Sequence, residues 1–388
     1  MLANKFNHQV EKIAVSDIRQ FDQEASQIEG IIKLTLGEPD FNTPEHIKQA
    51  AITAINDNQS HYAPNPGYME LRQAAADYYN QKFNLHYRAD QVVTTLGATE
   101  GIAAAMQTIM NPGDKLLMPT PVFPIYAASA SVNHAETVMI DTSEDNFILT
   151  PEKLQVALDT NPETKALVLV YPSNPTGVTY SREQLQALAA VSKKAGIWVL
   201  CDEVYAELLY QGQHYSMSEF LFDQVILITG LSKSHAMTGW RVGFLLGPDD
   251  FINEVIKSHQ YLVTASPDNV LYAALEAMQH GQNDSKAMLT EYQVRRDYVA
   301  QALNEAGFEL ASPDGAFYIF AKIPAIFDDL DGWQFVRLLA REARVALIPG
   351  LSFGPGGERY VRLSYAASME NLQEACRRIK EFVQNYQN

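Results

Sequence analysis

Apolar positions fall into two periods along the chain, and the alternation between them predicts the elements. Within residues 16–30, Ile18, Phe21, Ala25 and Ile28 recur at helical spacing, with Ser16 as a cap before them and Gly30 after. Residues 31–36 are expected to be extended and to end in the turn Gly37-Glu-Pro-Asp-Phe41. Thr43 as cap and Pro44 at the first helical position predict a helix that turns Ile47, Ala51, Ala54 and Ile55 to one face. A breaker-rich loop over 61–67 leads into another amphipathic helix, marked by Tyr68, Leu71, Ala75 and Tyr78.

From residue 91 short apolar runs alternate with helical patterns. Strands are expected at 91–95, 115–118, 137–140, 165–171, 197–201 and 225–229. Helices are expected over 97–110, from Pro151 and over 182–195. Most of the strand runs do not alternate, as in strands buried on both faces. Their β-α-β order predicts an α/β fold with a mostly parallel central sheet and helices on both faces. From about residue 249 long helical segments take over, broken by extended stretches at 316–321, 346–349 and 360–365. The last helix carries Leu372, Ala375, Ile379 and Phe382 on one face. The expected division is an N-terminal arm (1–15), a large domain (46–285) and a smaller α+β domain built from 16–45 and 286–388. No low-complexity tract and no repeat of solenoid length interrupts it.

Composition narrows the class. A chain of 388 residues exceeds the roughly 250–300 at which a single core stops growing, which favours two domains. With 47% hydrophobic and 19% charged residues the chain is globular in type, not disordered. A formal charge of −17 and no run of lysines or arginines disfavour nucleic acid and anionic membranes as partners. Cys201 and Cys376 are too few for a disulfide framework or a four-cysteine metal site, and they fit a reducing cytoplasm. The N-terminus has no apolar core of signal-peptide type and no later run approaches a membrane span, so a cytoplasmic location is expected.

Ligands of open α/β sheets sit beyond the carboxyl ends of strands, and four polar clusters fall at such ends. Gly97-Ala98-Thr99 joins a strand to a helix, where free N–H groups and a hydroxyl suit a phosphate; a glycine turn into a helix is also common without a ligand. In Tyr171-Pro-Ser-Asn174-Pro-Thr-Gly177, Pro175 and Gly177 suit a type I turn starting at Asn174, which leaves the partner of the Asn174 amide open. Asp202 ends a buried strand, where a carboxylate is costly unless paired. A pyridinium nitrogen, a metal and a helix cap are its rival partners, and no histidine or second carboxylate stands at ligand spacing to favour the metal. The fourth cluster runs from Gly230 to Gly243, with Lys233 between Ser232 and Ser234 and Arg241 eight residues on. A lysine leaving a buried strand loses hydration and becomes a nucleophilic amine, and Ser232 and Arg241 are phosphate-binding types. Taken alone, the stretch is equally an exposed loop with a salt-bridged arginine.

In order and spacing together, "LGEPDF", "YPSNPTG", "DEVY" and "SKSHAMTGWR" resemble the class I/II aminotransferases of pyridoxal phosphate fold type I. The likeness runs from about Ile32 to the C-terminus and is closest to the bacterial branch of aromatic-amino-acid and N-acetyl-diaminopimelate aminotransferases. It implies that Lys233 carries pyridoxal 5'-phosphate as a Schiff base and that Asp202 pairs with the ring nitrogen. Asn174 and Tyr205 would bond the phenolic oxygen, and Phe123 would stack on the ring. The phosphate would lie against Gly97, Ala98, Thr99, Ser232 and Arg241, with Tyr62 arriving from a second subunit of a homodimer. Arg362 would grip the substrate α-carboxylate, assisted by the backbone at Gly37 and by Asn174. Physics supports the choice of arginine, whose planar fork matches a carboxylate in a way lysine cannot.

The implied activity is transfer of an amino group from an L-amino acid, aromatic donors favoured, to a 2-oxo acid such as 2-oxoglutarate. N-acetyl-diaminopimelate and aspartate are the alternative donors. A carbon–sulfur β-lyase would use the same lysine and aspartate, and a regulator that binds the cofactor without turnover is a further alternative. His235 is expected to be a hydrogen-bonding loop residue, and Met237 and Trp240 to pack. Gly354-Pro-Gly-Gly357 lacks the strand–turn–helix setting of a dinucleotide fingerprint.

Overall fold

The computed structural model describes residues 5–386, so residues 1–4 of the expected N-terminal arm lie outside it. The first strand, β1 (Ile32–Lys33), has two residues and pairs in parallel with Val345–Ala346. The next seven form one sheet: β2 (Val92–Thr95), β3 (Lys115–Thr120), β4 (Glu136–Asp141), β5 (Thr164–Val170), β6 (Trp198–Asp202), β7 (Val225–Gly230) and β8 (Gly243–Leu246). Their spatial order is β2-β8-β7-β6-β5-β3-β4. Only β8 runs antiparallel to its neighbours.

Alternate residues of each strand enter different cores, because successive side chains point to opposite faces. Leu167, Val199 and Leu227 join the core under the helices Met69–Phe83, Arg182–Ala195 and Asp268–His280. Val168, Leu200 and Ile226 join the opposite core, under the helices Gly97–Ile109 and Asp249–Val263. That double burial accounts for the unalternating apolar runs. It also makes this the α/β architecture, mostly parallel with helices on both faces, that the sequence predicts.

A third core forms around four strands in the order β12-β13-β10-β9: β9 (Glu309–Leu310), β10 (Tyr318–Lys322), β12 (Ile348–Pro349) and β13 (Tyr360–Ser364), with Val345–Ala346 being β11. The helices Gly332–Glu342 and Met369–Tyr386 cover it, and Phe21, Ala25 and Leu34 enter it from the start of the chain.

Several local expectations give way to tertiary bonds. The first long helix is Asp17–Ala25, capped by Ser16 and ending short of Gly30. Pro44, not Thr43, is the N-cap of Glu45–Asn56, and it supplies no side-chain cap. The Thr43 hydroxyl instead donates to the Ala236 carbonyl at 2.7 Å and accepts from the Trp240 indole at 3.0 Å. The extended stretch 31–36 contributes only β1 to a ladder. The stretch 346–349 divides between two sheets. Strand β8, which begins at the last glycine of the Gly230–Gly243 cluster, has no counterpart among the expected strands.

Candidate active site

Strands β5, β6 and β7 lie side by side and end at Val170, Asp202 and Gly230, next to the point where the strand order reverses between β3 and β5. Beyond those ends opens a cleft of about 350 Å³, closed on the other side by β10 and β13. Every site residue singled out in the sequence lines it except Gly97 and Tyr62.

Lys233 follows β7 on the short helix Leu231–Ser234. Its Nζ donates to the Gly37 carbonyl at 2.5 Å and lies 5.8 Å from the Tyr205 ring centroid. Burial lowers its pKa to about 8; Arg241 and Arg362 push the same way, against Glu38 and Asp202. The environment therefore brings a neutral amine within reach of ordinary pH.

Asp202 ends β6 and is buried. Its Oδ2 accepts from the Tyr126 hydroxyl at 2.6 Å and its Oδ1 from the Val204 N–H at 3.2 Å. Burial raises its pKa, and those two hydrogen bonds act against the rise. The neighbouring Glu203 points away from the cleft and accepts from Tyr171, His214 and Ser216, each at 2.8 Å. Adjacent carboxylates thus divide: one faces the cleft, the other is locked into the core.

Arg362, on β13, is 2% exposed. Its two terminal nitrogens donate to Asn174 Oδ1 at 2.8 Å and to the Thr35 carbonyl at 2.6 Å, while Nε has no partner. The Tyr318 and Phe353 rings lie 4.7 and 4.9 Å from the guanidinium. No carboxylate pairs with it among the described residues. A buried cation bonded only to neutral acceptors is under-compensated and favours the arrival of an anion. The Asn174 amide, whose partner the sequence left open, is thereby accounted for. The turn after it is one residue wider than type I, because the Gly177 N–H bonds the Ser173 carbonyl and not that of Asn174.

A second cationic region lies at the start of the helix Gly97–Ile109, whose N-cap, Leu96, makes no side-chain cap. Ala98 and Thr99 present first-turn N–H groups there, beside Ser232 and Arg241. The Arg241 guanidinium bonds the Thr238 carbonyl at 2.8 Å and has no carboxylate partner among the described residues. Gly97 has φ +75°, and a Cβ there would come within 2.5 Å of Arg241, so glycine is what lets the guanidinium close on the helix end.

Phe123 is 37% exposed on the cleft wall, so core packing does not account for it. Tyr62 is 87% exposed in a surface loop and does not reach its own chain's cleft. His235 bonds Ser234 Oγ and the Gly281 carbonyl, and Met237 is buried in the core, as expected. Periodicity gives no sign of Tyr126 or of Tyr318, whose hydroxyl is 2.7 Å from that of Tyr205. Their one signal was position: Tyr126 lies three residues after Phe123, and Tyr318 lies in a predicted strand. Among the described residues there is no cluster of three or more metal-ligating side chains, and no helix is long and apolar enough to cross a membrane.

A lysine with a depressed pKa, a buried acid and two anion seats at the switch point of a mostly parallel sheet define a group-transfer enzyme. The sequence model of "Aminotransferase class I and II" matches residues 29–379, and the chain belongs to that family of pyridoxal-phosphate-dependent transferases. It is 44% identical over 378 residues to the probable N-acetyl-LL-diaminopimelate aminotransferase of Bacillus subtilis (strain 168), covering 97% of this chain and 95% of that protein. It is 38% identical over 371 residues to the aspartate aminotransferase of Pyrococcus horikoshii, covering 94% of each. The solved aromatic aminotransferase from Pyrococcus horikoshii OT3 superposes with a TM-score of 0.89 at 34% identity, over 95% of this chain and 99% of that one.

Proposed function

We propose that this aminotransferase binds pyridoxal 5'-phosphate at Lys233 and moves an amino group from an L-amino acid, aromatic donors favoured, to a 2-oxo acid such as 2-oxoglutarate in a two-stage, ping-pong cycle. The observation that carries the proposal is the buried Arg362 guanidinium, lacking a carboxylate partner, in the same cleft as a lysine whose pKa is brought down to about 8.

The donor set fits the cofactor part by part. Ala98, Thr99, Ser232 and Arg241, with Gly97 keeping the approach open, would hold its phosphate. Asp202 would face its ring nitrogen, Tyr205 and Asn174 its phenolic oxygen, and Phe123 its ring face. When bound, the cofactor supplies an electron sink that no side chain provides. Lys233 in its neutral form would take the proton from the substrate α-carbon and deliver it to the carbon that receives the amino group. Asp202, seated by Tyr126, would keep a proton on the cofactor's ring nitrogen. Arg362 orients the substrate through its α-carboxylate, aided by Asn174 and the backbone at Gly37.

The exposure of Tyr62 supports a homodimer in which this side chain completes the partner's phosphate seat. Separate cores support the division into a large domain (46–285) and a small domain (16–45 with 286–388). The reducing chemistry of two free cysteines supports work in the cytoplasm.

Uptake of pyridoxal phosphate by the apoprotein is expected to quicken as pH rises through about 8 and to level off above it, because only the neutral amine attacks. Stopped-flow absorbance measures this, and a profile flat across that region would contradict the depressed lysine.

The apolar wall formed by Ile18, Leu36, Phe123 and Ile125 supports an aromatic donor. A second reading, N-acetyl-diaminopimelate as donor, is supported by the name of the 44%-identical relative. Phenylalanine, aspartate and N-acetyl-diaminopimelate should be compared by kcat/KM with 2-oxoglutarate as acceptor. Phenylalanine is expected to lead; a lead of about tenfold or more by either other donor would overturn the aromatic assignment.

A further inference from the structure

We infer that Glu100 and His259 are positioning residues for the cofactor's phosphate, a buried pair in which the imidazole cancels the charge of a carboxylate beside the phosphate seat and ties that seat to the loop carrying Tyr62. The inference rests on the proposed binding of pyridoxal phosphate at Lys233. Neither residue lines the cleft.

Glu100 lies in the first turn of the helix Gly97–Ile109, next to Thr99. Its Oε2 accepts from the Leu96 N–H at 3.2 Å, directly before the seat, and its Oε1 lies 3.0 Å from His259 Nδ1. His259, on the helix Asp249–Val263, is fully buried, and its Nε2 lies 2.9 Å from the Asn65 carbonyl. A carbonyl only accepts, so Nε2 carries a proton. Nδ1 faces a carboxylate, and two acceptors do not bond each other, so a second proton lies between Nδ1 and Oε1. Whichever atom holds it, the pair has no net charge.

That cancellation matters because of where the carboxylate sits. The first-turn N–H groups beside it would receive a phosphate, and an uncompensated carboxylate would repel one. His259 is the only charged partner of Glu100 among the described residues. The Leu96 N–H is satisfied by the carboxylate alone, so what the imidazole adds is the removal of its charge. The other ring nitrogen reaches a different segment. Asn65 is held twice there, its carbonyl by His259 and its side-chain amide by the Thr264 carbonyl at 2.9 Å. Thr264 has φ +63°, in a tight turn closed by the Ala265 N–H on the Val263 carbonyl at 2.7 Å. Such a turn is strained for a β-branched residue, and strain of this kind collects where a segment has to be aimed. Tyr62 lies three residues before Asn65. The anchor that neutralises one chain's phosphate seat thus also fixes the base of the loop offered to its partner's seat.

The test titrates the full-length apoprotein of the parent, His259→Gln and the double variant Glu100→Gln/His259→Gln with pyridoxal phosphate and, separately, with pyridoxal, which lacks the phosphate. His259→Gln leaves Glu100 charged beside the seat and is expected to raise the dissociation constant for pyridoxal phosphate by roughly 10- to 100-fold, with little effect on pyridoxal. Removing the carboxylate as well should recover most of that loss, which a packing role alone would not allow. His259→Asn takes the place of His259→Gln if the latter does not fold. An unchanged constant, a loss shared by pyridoxal, or a double variant no better than the single one would overturn the pairing and leave the aminotransferase reading intact. A parent that takes up no pyridoxal phosphate would bring down both.

Discussion

Lys233→Ala is expected to reduce transamination by roughly 10⁴-fold or more, since in the proposed cycle one side chain serves both as the nucleophile for the cofactor and as the base at the substrate α-carbon. The variant should also fail to develop the visible absorbance of a lysine-bound cofactor. It should fold as well as its parent. Lys233 makes one hydrogen bond, to the Gly37 carbonyl, and its depressed pKa means that the fold pays to bury its charge. Removing it relieves that cost, so the melting temperature of the apoprotein should hold or rise. Turnover near the parental rate would sink the assignment of Lys233, whatever the spectrum did.

Asp202→Asn should follow, with kcat lowered by roughly 10²–10³-fold. The substitution keeps the size of the side chain and an oxygen for the Tyr126 hydroxyl, and it removes the charge. In the proposed site an asparagine would face the ring nitrogen and could not hold a proton there. The next carboxylate, Glu203, is bonded to Tyr171, His214 and Ser216 on the other face and cannot substitute. A steady-state assay with saturating donor separates this loss from weaker binding. Parental kcat in Asp202→Asn would remove the electrostatic role and leave a packing role only.

Both predictions concern residues that were legible in the chain, and the reason is local. Asp202 ends a continuous apolar run and Lys233 follows closely on another, and a charged residue beside the end of a buried strand has few structural excuses. Arg362 was legible through the family resemblance, and its strand sends Val361 and Leu363 into the core on the other face. Gly97 and its helix were legible through the strand–glycine–helix order.

What escaped has a common cause in long-range pairing. Tyr126 meets Asp202 across 76 residues and Tyr318 meets Tyr205 across 113. A tyrosine in a helix or strand carries no mark of its partner. Thr43 has the composition of a helix cap, but its hydroxyl goes to Ala236 and Trp240, because bonds between distant segments outweighed a local cap. Strand β8 was hidden because glycines at 239, 243 and 247 resemble loop punctuation, whereas its place between β2 and β7 supplies a full ladder on each edge.

The sequence by itself determined the alternation of strands and helices, the mostly parallel sheet and the chemistry at the strand ends, because each follows from periodicity and the cost of burying charge. Only the tertiary structure decided which charges go without a partner. Arg362 bonded to an amide and a carbonyl, and Arg241 with no carboxylate among the described residues, are facts about neighbours, and neighbours are fixed by packing among segments as much as 327 residues apart.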